Sequence, residues 1–254
     1  GGNIVNTGFI VGSEGVIVID TGSSKRYGEQ MLAAIRRVTP LPIVLTVNTH
    51  HHPDHFLGNQ AFPRASLAAL PETIAAIRSE GEGFNANMYR LNGNWMRDTE
   101  VVVPERALAA GRQRIGGRDV ELRALGGHTV ADLVVIDHDS GTVYAADLLF
   151  NGRTPTTPHA DLARWLAALD TLEGLPARRW VPGHGEPATD LAALRQTRDY
   201  LGWLAQAIRA GAESGQDMTE LFHTPIPQRF AGLALVNEEF RRSVVHLFPA
   251  AEQA

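Results

Sequence analysis

The sequence predicts an α+β chain in which two βα halves pack as a sandwich, sheets inside and helices outside. Two observations predict it. A block of short β-branched runs followed by helical apolar spacing occurs once in the first half of the chain and again in the second. The two blocks are not separated by a linker: the only Thr- and Pro-rich stretch, Gly152–Pro158, falls inside the second half. The 254 residues therefore read as one domain over 1–254, with C-terminal helices from about residue 190.

In the first half, Phe9-Ile10-Val11 and Val16-Ile17-Val18-Ile19 read as strands joined by a hairpin turn at Gly12-Ser13-Glu14-Gly15. Asp20-Thr21-Gly22 ends the second strand. Met31, Leu32, Ile35 and Val38 give helical spacing from about Tyr27 to Val38, broken by Pro40 and Pro42. The strand Ile43–Val47 follows. Pro71 to about Asp98 reads as an amphipathic helical segment interrupted at Gly81 and Gly83. Its Phe, Met and Trp content would suit a lid, but ordinary core is the preferred reading. In the second half, Val120–Leu122, Leu133–Ile136 and Thr142–Ala145 read as strands, with a short strand at Arg179–Val181. Helices are expected at about Asp161–Leu172, Leu191–Ala210 and Leu233–Leu247.

Composition narrows the function classes. There are no cysteines, which removes disulfides, thiolate metal sites and cysteine nucleophiles. Net charge is −5 and Lys25 is the only lysine, so no basic face for nucleic acid is evident and the expected partner is a small-molecule substrate. No apolar stretch approaches the roughly 18 residues that span a bilayer. The chain opens at Gly1-Gly2-Asn3 without a basic and apolar leader, but a leader could have been removed, so bacterial periplasm and cytoplasm both stay open.

Thr49-His50-His51-His52-Pro53-Asp54-His55 carries the chemistry. Four imidazoles and a carboxylate follow a buried-type strand. In an extended chain alternate residues share a face, so His50 and His52 point one way and His51 the other. Pro53 bends the chain and can return Asp54 and His55 to the same cavity. One loop thus offers two histidines to one ion and a carboxylate plus a histidine to a second, and His51 reads as structural or solvent-facing. More ligands must come from elsewhere. His128 in Gly126-Gly127-His128-Thr129, Asp147 at the close of a strand, and His184 in Pro182-Gly183-His184-Gly185 are the candidates, because adjacent glycine lets backbone approach an ion closely. His138, His159, His223 and His246 lack that setting and default to ordinary surface or core residues.

These residues, in this order from about Asn6 to Pro187, resemble the metallo-β-lactamase superfamily. The resemblance implies a four-layer αββα sandwich with a metal site at one edge of the two sheets. It implies that His50, His52 and His128 bind a first metal, that Asp54, His55 and His184 bind a second, and that Asp147 bridges both. It further implies two divalent ions, most readily Zn²⁺ with Fe or Mn also suited to these ligands. Asp20 resembles the carboxylate that orients a ligand histidine, and Thr49 and Thr129 could play similar supporting roles. The phrases Thr49–Gln60 and Thr156–Asp161 are most like the quinoprotein relay system zinc metallohydrolases. Aspartate at 147, where many zinc β-lactamases use cysteine, is the pattern of other hydrolases of the superfamily. The lysine that several lactamases carry shortly after that position is absent. Arg153 either binds an anionic substrate in its place or is a solvated loop residue.

The expected activity is dinuclear metal-dependent hydrolysis of a small ester, thioester, lactone, lactam or phosphoester by a metal-bridging hydroxide, with Asp54 orienting that group or passing on its proton. Two alternatives stand beside it. One is iron-dependent oxidation of a thiol or persulfide. The other is a non-catalytic accessory protein that binds metal or cofactor in a quinoprotein system. Retention of both ligand sets and of Asp147 argues for catalysis.

Overall fold

The structure, a computed structural model, describes residues 5–253; the Gly1-Gly2-Asn3 opening lies outside them. The chain runs β1 (Gly8–Val11), β2 (Val16–Ile19), α1 (Lys25–Val38), β3 (Ile43–Asn48), α2 (Pro53–Phe56), β4 (Leu67–Ala69), α3 (Pro71–Asn92), β5 (Arg106–Ala107) and β6 (Gly111–Ile115). It continues through β7 (Arg118–Leu125), β8 (Asp132–Asp137), β9 (Thr142–Phe150), α4 (Leu162–Glu173), β10 (Arg179–His184), α5 (Ala192–Glu213), α6 (Met218–Leu221) and α7 (Val236–Ala251). Two five-stranded sheets result, ordered β1-β2-β3-β4-β5 and β10-β9-β8-β7-β6.

The period of two along each strand builds the four layers. Ile17, Ile19, Leu45 and Val47 face inward and meet Val120, Leu122, Leu133 and Val135 of the second sheet in the central core. Their neighbours Val16, Val18 and Ile43 face outward onto Met31 and Ile35 of α1. On the far side, Val134, Ile136, Val143 and Ala145 pack against Trp165 and Leu169 of α4, Leu201 and Leu204 of α5, and Phe240 and Val244 of α7. The predicted αββα sandwich is therefore the observed one. Among the described residues no helix is long and apolar enough to cross a membrane.

Two expectations change in detail. The helix beginning at Pro71 runs unbroken through Gly81 and Gly83 to Asn92. Two glycines cost a helix about 1 kcal/mol each, and burial of Ile74, Ile77 and Met88 outweighs that. The strands β4, β5 and β6 were not expected. They are three, two and five residues long, β5 and most of β6 are exposed, and pairing with neighbouring strands, not apolar alternation, makes them strands.

Both sheets end at the same rim. β2 leads into Asp20, β3 into the histidine segment, and β10 finishes on His184. Backbone ties lock this rim: Thr49 O accepts from Leu133 N at 2.8 Å, joining the end of β3 to the start of β8, and Asp20 N donates to Val47 O at 2.9 Å. Beneath the rim lies a buried amide network. Asn59 Nδ2 donates to Asn48 Oδ1 (2.8 Å) and Val102 O (2.8 Å), while Asn59 Oδ1 accepts from Asn48 Nδ2 (3.0 Å) and Thr21 Oγ1 (2.9 Å). Asn59→Ala would orphan several of these groups at about 1–3 kcal/mol each. Urea denaturation should show the variant destabilised by at least about 2 kcal/mol.

Candidate metal centre

The segment after β3 bends at His50 and His51, is extended at His52, and then turns into the single-turn helix α2, with Pro53 at its first position. This conformation sends His50 and His52 into one cavity and brings Asp54 and His55 in from the side. His128 arrives from the loop between β7 and β8. Gly127, before it, has φ +128°, and a Cβ there would fall 2.3 Å from the Trp165 backbone, so only glycine lets the loop close on α4. Asp147 does not close its strand as expected. β9 continues to Phe150, and Asp147 follows Ala146, which has φ +46°, where the pairing with β10 shifts register. Such a bulge re-aims a side chain, here into the cavity.

One ligand atom from each of His50, His52, His128 and Asp147 lies within 4.8 Å of the others, and the same holds for Asp54, His55 and His184. All seven sequence candidates are thus brought together in two adjoining clusters. Asp147 stands between them: its Oδ1 is 3.0 Å from His55 Nε2, and its Oδ2 is 3.4 Å from both His128 Nε2 and His184 Nε2. Asp54 Oδ2 is 3.2 Å from His184 Nε2 and 3.8 Å from His55 Nε2.

The electrostatics separate the two clusters. Burial drives His50, His52 and His128 well below the ordinary histidine range, leaving them neutral, as imidazole ligands must be. Burial also acts against the charge of His55 and His184, but nearby carboxylates win. Asp147, Asp20 and Asp54 raise His55 well above its usual range, and Asp147 with Asp54 raises His184 to about 9. Asp54 and Asp147 are penalised by burial yet held well below the usual carboxylate range by those same histidines. Without metal, the second cluster therefore balances its buried charges with protons. The residues fit divalent ions on a direct observation: His50 Nε2 is buried in the site and makes no hydrogen bond.

Supporting contacts orient the rings. Asp20 Oδ2 faces His55 Nδ1 at 2.8 Å and accepts from Thr49 Oγ1 at 2.8 Å, while Asp20 Oδ1 accepts from Thr49 N. Thr49 Oγ1 also lies 3.1 Å from His50 Nδ1. Among the described residues Thr129 makes no hydrogen bond to a ligand ring. Its hydroxyl bonds Asp132 Oδ1 and Ala131 O, and Asp132 Oδ2 accepts from the backbone N–H groups of His128 and Thr129. Asp132, unforeseen from sequence, is what fixes that loop. Trp165 packs edge-on to His128 at 4.9 Å, and Phe150 stacks on His184 at 5.3 Å.

The cleft above the site has a volume of about 330 Å³. Phe84, Met88 and Leu91 of α3 line one side, so that segment serves as core below and as cleft wall above. Arg153, Arg242, His159 and His246 also line it, which corrects the default reading of the two histidines. His159 Nδ1 lies 2.8 Å from His52 Nε2. Arg153 is not a solvated loop residue: it is largely buried, with Nη2 3.4 Å from Glu239 Oε1. His51 is buried, not solvent-facing. The sequence offered one signal for His159, its place in Thr156-Thr157-Pro158-His159. The contributions of α7 carried none, because they depend on how a distant helix docks.

A model of the metallo-beta-lactamase superfamily matches residues 1–184. A linear primary-alkylsulfatase of Pseudomonas sp. (strain ATCC 19151) is 23% identical over 284 aligned positions, covering 94% of this chain and 53% of that protein. An acyl-coenzyme A thioesterase of Bos taurus is 26% identical over 213 positions, covering 72% of this chain and 74% of that protein. The chain thus spans about half the length of the first relative and three quarters of the second. Among solved structures, a metallo-beta-lactamase from Pontibacter korlensis superposes with a TM-score of 0.61 at 25% identity, covering 76% of this chain and 85% of that one. These likenesses support the superfamily, and nothing in them supports the narrower quinoprotein relay subgroup.

Two measurements follow from the geometry. A Cβ on Gly183 would fall 1.8 Å from Asp147 Oδ1. Gly183→Ala should therefore displace Asp147 and weaken metal binding at least tenfold, on the order of the loss seen when ligand-orienting contacts are disturbed. The raised pKa of His184 stabilises the metal-free protein fully below 6.5, and that contribution is lost as pH rises through about 9. Thermal unfolding of metal-free protein should show stability falling across this window, by on the order of 2–3 kcal/mol.

Proposed function

The chain belongs to the metallo-beta-lactamase superfamily, and on that premise we propose a two-metal hydrolase that cleaves a small acyl thioester or sulfate ester bearing an apolar chain. That it is a metallohydrolase with a buried His/Asp metal-site cluster follows from the family match and the ligand geometry. The observation that carries the two-metal reading is the position of Asp147, within 3.0–3.4 Å of imidazoles from both clusters. His50, His52 and His128 would hold one ion, Asp54, His55 and His184 the other, and Asp147 both. The donor set of imidazoles and carboxylates suits zinc, with iron or manganese as alternatives.

Divalent ions held there would supply a nucleophile from water at neutral pH and would polarise the scissile group. The chain's own residues supply the rest. Asp54 has a side chain 14% exposed, against 0–3% for the ligand partners around it, so it is the carboxylate that opens onto the cleft. Beside the ion that His55 and His184 would hold, it stays ionised and would serve as the acceptor that orients the attacking water. Asp20 keeps the His55 ring turned toward the site. The apolar wall of Phe84, Met88 and Leu91 takes a hydrocarbon chain, and the guanidinium groups of Arg153 and Arg242 take an anionic group. The names of the two relatives, an alkylsulfatase and an acyl-coenzyme A thioesterase, support this substrate class over a lactam.

Turnover of a panel of acyl thioesters, alkyl sulfates, lactams, lactones and phosphodiesters tests the reading, run with zinc, manganese and iron. Thioesters or alkyl sulfates with longer chains should be the best substrates; hydrolysis confined to lactams or phosphodiesters would contradict the assignment. Asp54→Ala should lower kcat by on the order of 10²-fold or more. Full turnover in that variant would remove Asp54 from the mechanism.

A further inference from the structure

Three of the ligand rings meet a partner on the side away from the ions. His50 Nδ1 lies 3.1 Å from Thr49 Oγ1, His55 Nδ1 lies 2.8 Å from Asp20 Oδ2, and His52 Nε2 lies 2.8 Å from His159 Nδ1. The last partner is an imidazole from a distant loop, and the two-metal centre gives it no task. The chemistry of His52 fixes the direction of that bond. Its Nδ1 is the nitrogen turned inward, 2.9 Å from His128 Nε2. A neutral imidazole carries one N–H and one lone pair. If Nδ1 gives its lone pair to an ion, the proton sits on Nε2 and His159 Nδ1 accepts the hydrogen bond. His159 then carries its own proton on Nε2. That atom lies 3.4 Å from Oε2 of Glu80, on α3. The Glu80 carboxylate thus faces the N–H of His159, as His159 faces the N–H of His52.

We propose that His159, backed by Glu80, is a positioning residue that holds His52 in the tautomer and ring orientation of an Nδ1 metal ligand. Metal-binding histidines commonly pass their outer N–H to a carboxylate, which fixes the ring and makes it a better donor. Here a second imidazole stands between the ligand and the carboxylate. The loop that carries His159 is tied on both sides of it. Thr157 Oγ1 donates to Ser243 Oγ of α7 at 2.7 Å, and Asp161 N donates to Gly127 O at 2.9 Å. Gly127 precedes His128. The turn that brings His128 to the inner side of His52 is therefore bonded to the loop that brings His159 to its outer side. The His52 ring is gripped between them, its centroid 4.7 Å from that of His128 and 5.1 Å from that of His159. His52 is buried, so without His159 its outer N–H would be a buried donor lacking an acceptor. The Glu80 side chain is 42% exposed, where water screens its charge, so it contributes less than His159 does. The proposal rests on the reading that His52 holds an ion through Nδ1.

Stepwise zinc affinities, measured by competition with a chromophoric chelator, test it in the wild type, His159→Leu, His159→Asn and Glu80→Ala. Leucine fills the place of the ring but accepts no hydrogen bond, whereas the amide oxygen of asparagine can stand where Nδ1 does. His159→Leu should weaken one of the two zinc ions by about ten- to a hundredfold and leave the other unchanged. His159→Asn should restore most of that loss, and Glu80→Ala should show a smaller one. The His159 side chain is 33% exposed, so the variants should fold, and thermal melting of the metal-free proteins checks that they do. Wild-type affinity for both ions in His159→Leu, or an equal loss in His159→Leu and His159→Asn, would overturn the proposal while the two-metal reading stands. Unchanged affinity in Glu80→Ala would strike Glu80 from it. A wild type that takes up no zinc would overturn the two-metal reading and this proposal together.

Discussion

The burial of Asp147 among imidazoles is the constraint on which the rest of the structure depends. Its side chain is 3% exposed and stands within 3.4 Å of His55, His128 and His184. A carboxylate taken out of water at this depth must be matched by positive charge. Protons on His55 and His184 provide that match without metal, and divalent ions provide it with metal. Each surrounding device serves this exchange. The bulge at Ala146 aims the carboxylate, the bare backbone of Gly183 makes room for it, and Asp20 keeps His55 in place.

The fold explains why the matching groups are available together. Parallel pairing of β2 with β3, and of β10 with β9, brings the ends of β2, β3 and β10 to one rim. The apolar layers beneath them are closed, with Ile17, Leu45, Val47 and Val135 fully buried, so the polar groups concentrate where the strands end. Asn48, Asn59 and Thr21 satisfy one another below that rim and hold the histidine segment against it.

Much of this was legible in the sequence because it is local. The four layers follow from apolar alternation in short strands, and most ligands announce themselves through the histidine-rich segment after β3 and through His128 and His184 beside glycine. What was not legible depends on distant packing. Asp132 supports the His128 loop only because that loop folds back on the start of β8. Arg242 and His246 reach the cleft because α7 docks beside it, and His159 because its loop returns over His52. The prediction that His51 faces away from His50 and His52 assumed an extended chain and left open whether the ring is structural or solvent-facing, whereas the segment bends at His50 and His51. α3 covers that face, so the ring is buried against Phe84. The cleft likewise joins two segments far apart in sequence, α3 and α7, which is why substrate class could be argued only once both were placed.

A crystal structure of the protein given two equivalents of zinc, with anomalous scattering recorded at the zinc edge, tests the central claim most directly. The account predicts two peaks on either side of the Asp147 carboxylate, one among His50, His52 and His128 and the other among Asp54, His55 and His184. A single peak without Asp147 as ligand, or zinc bound only outside these residues, would contradict it.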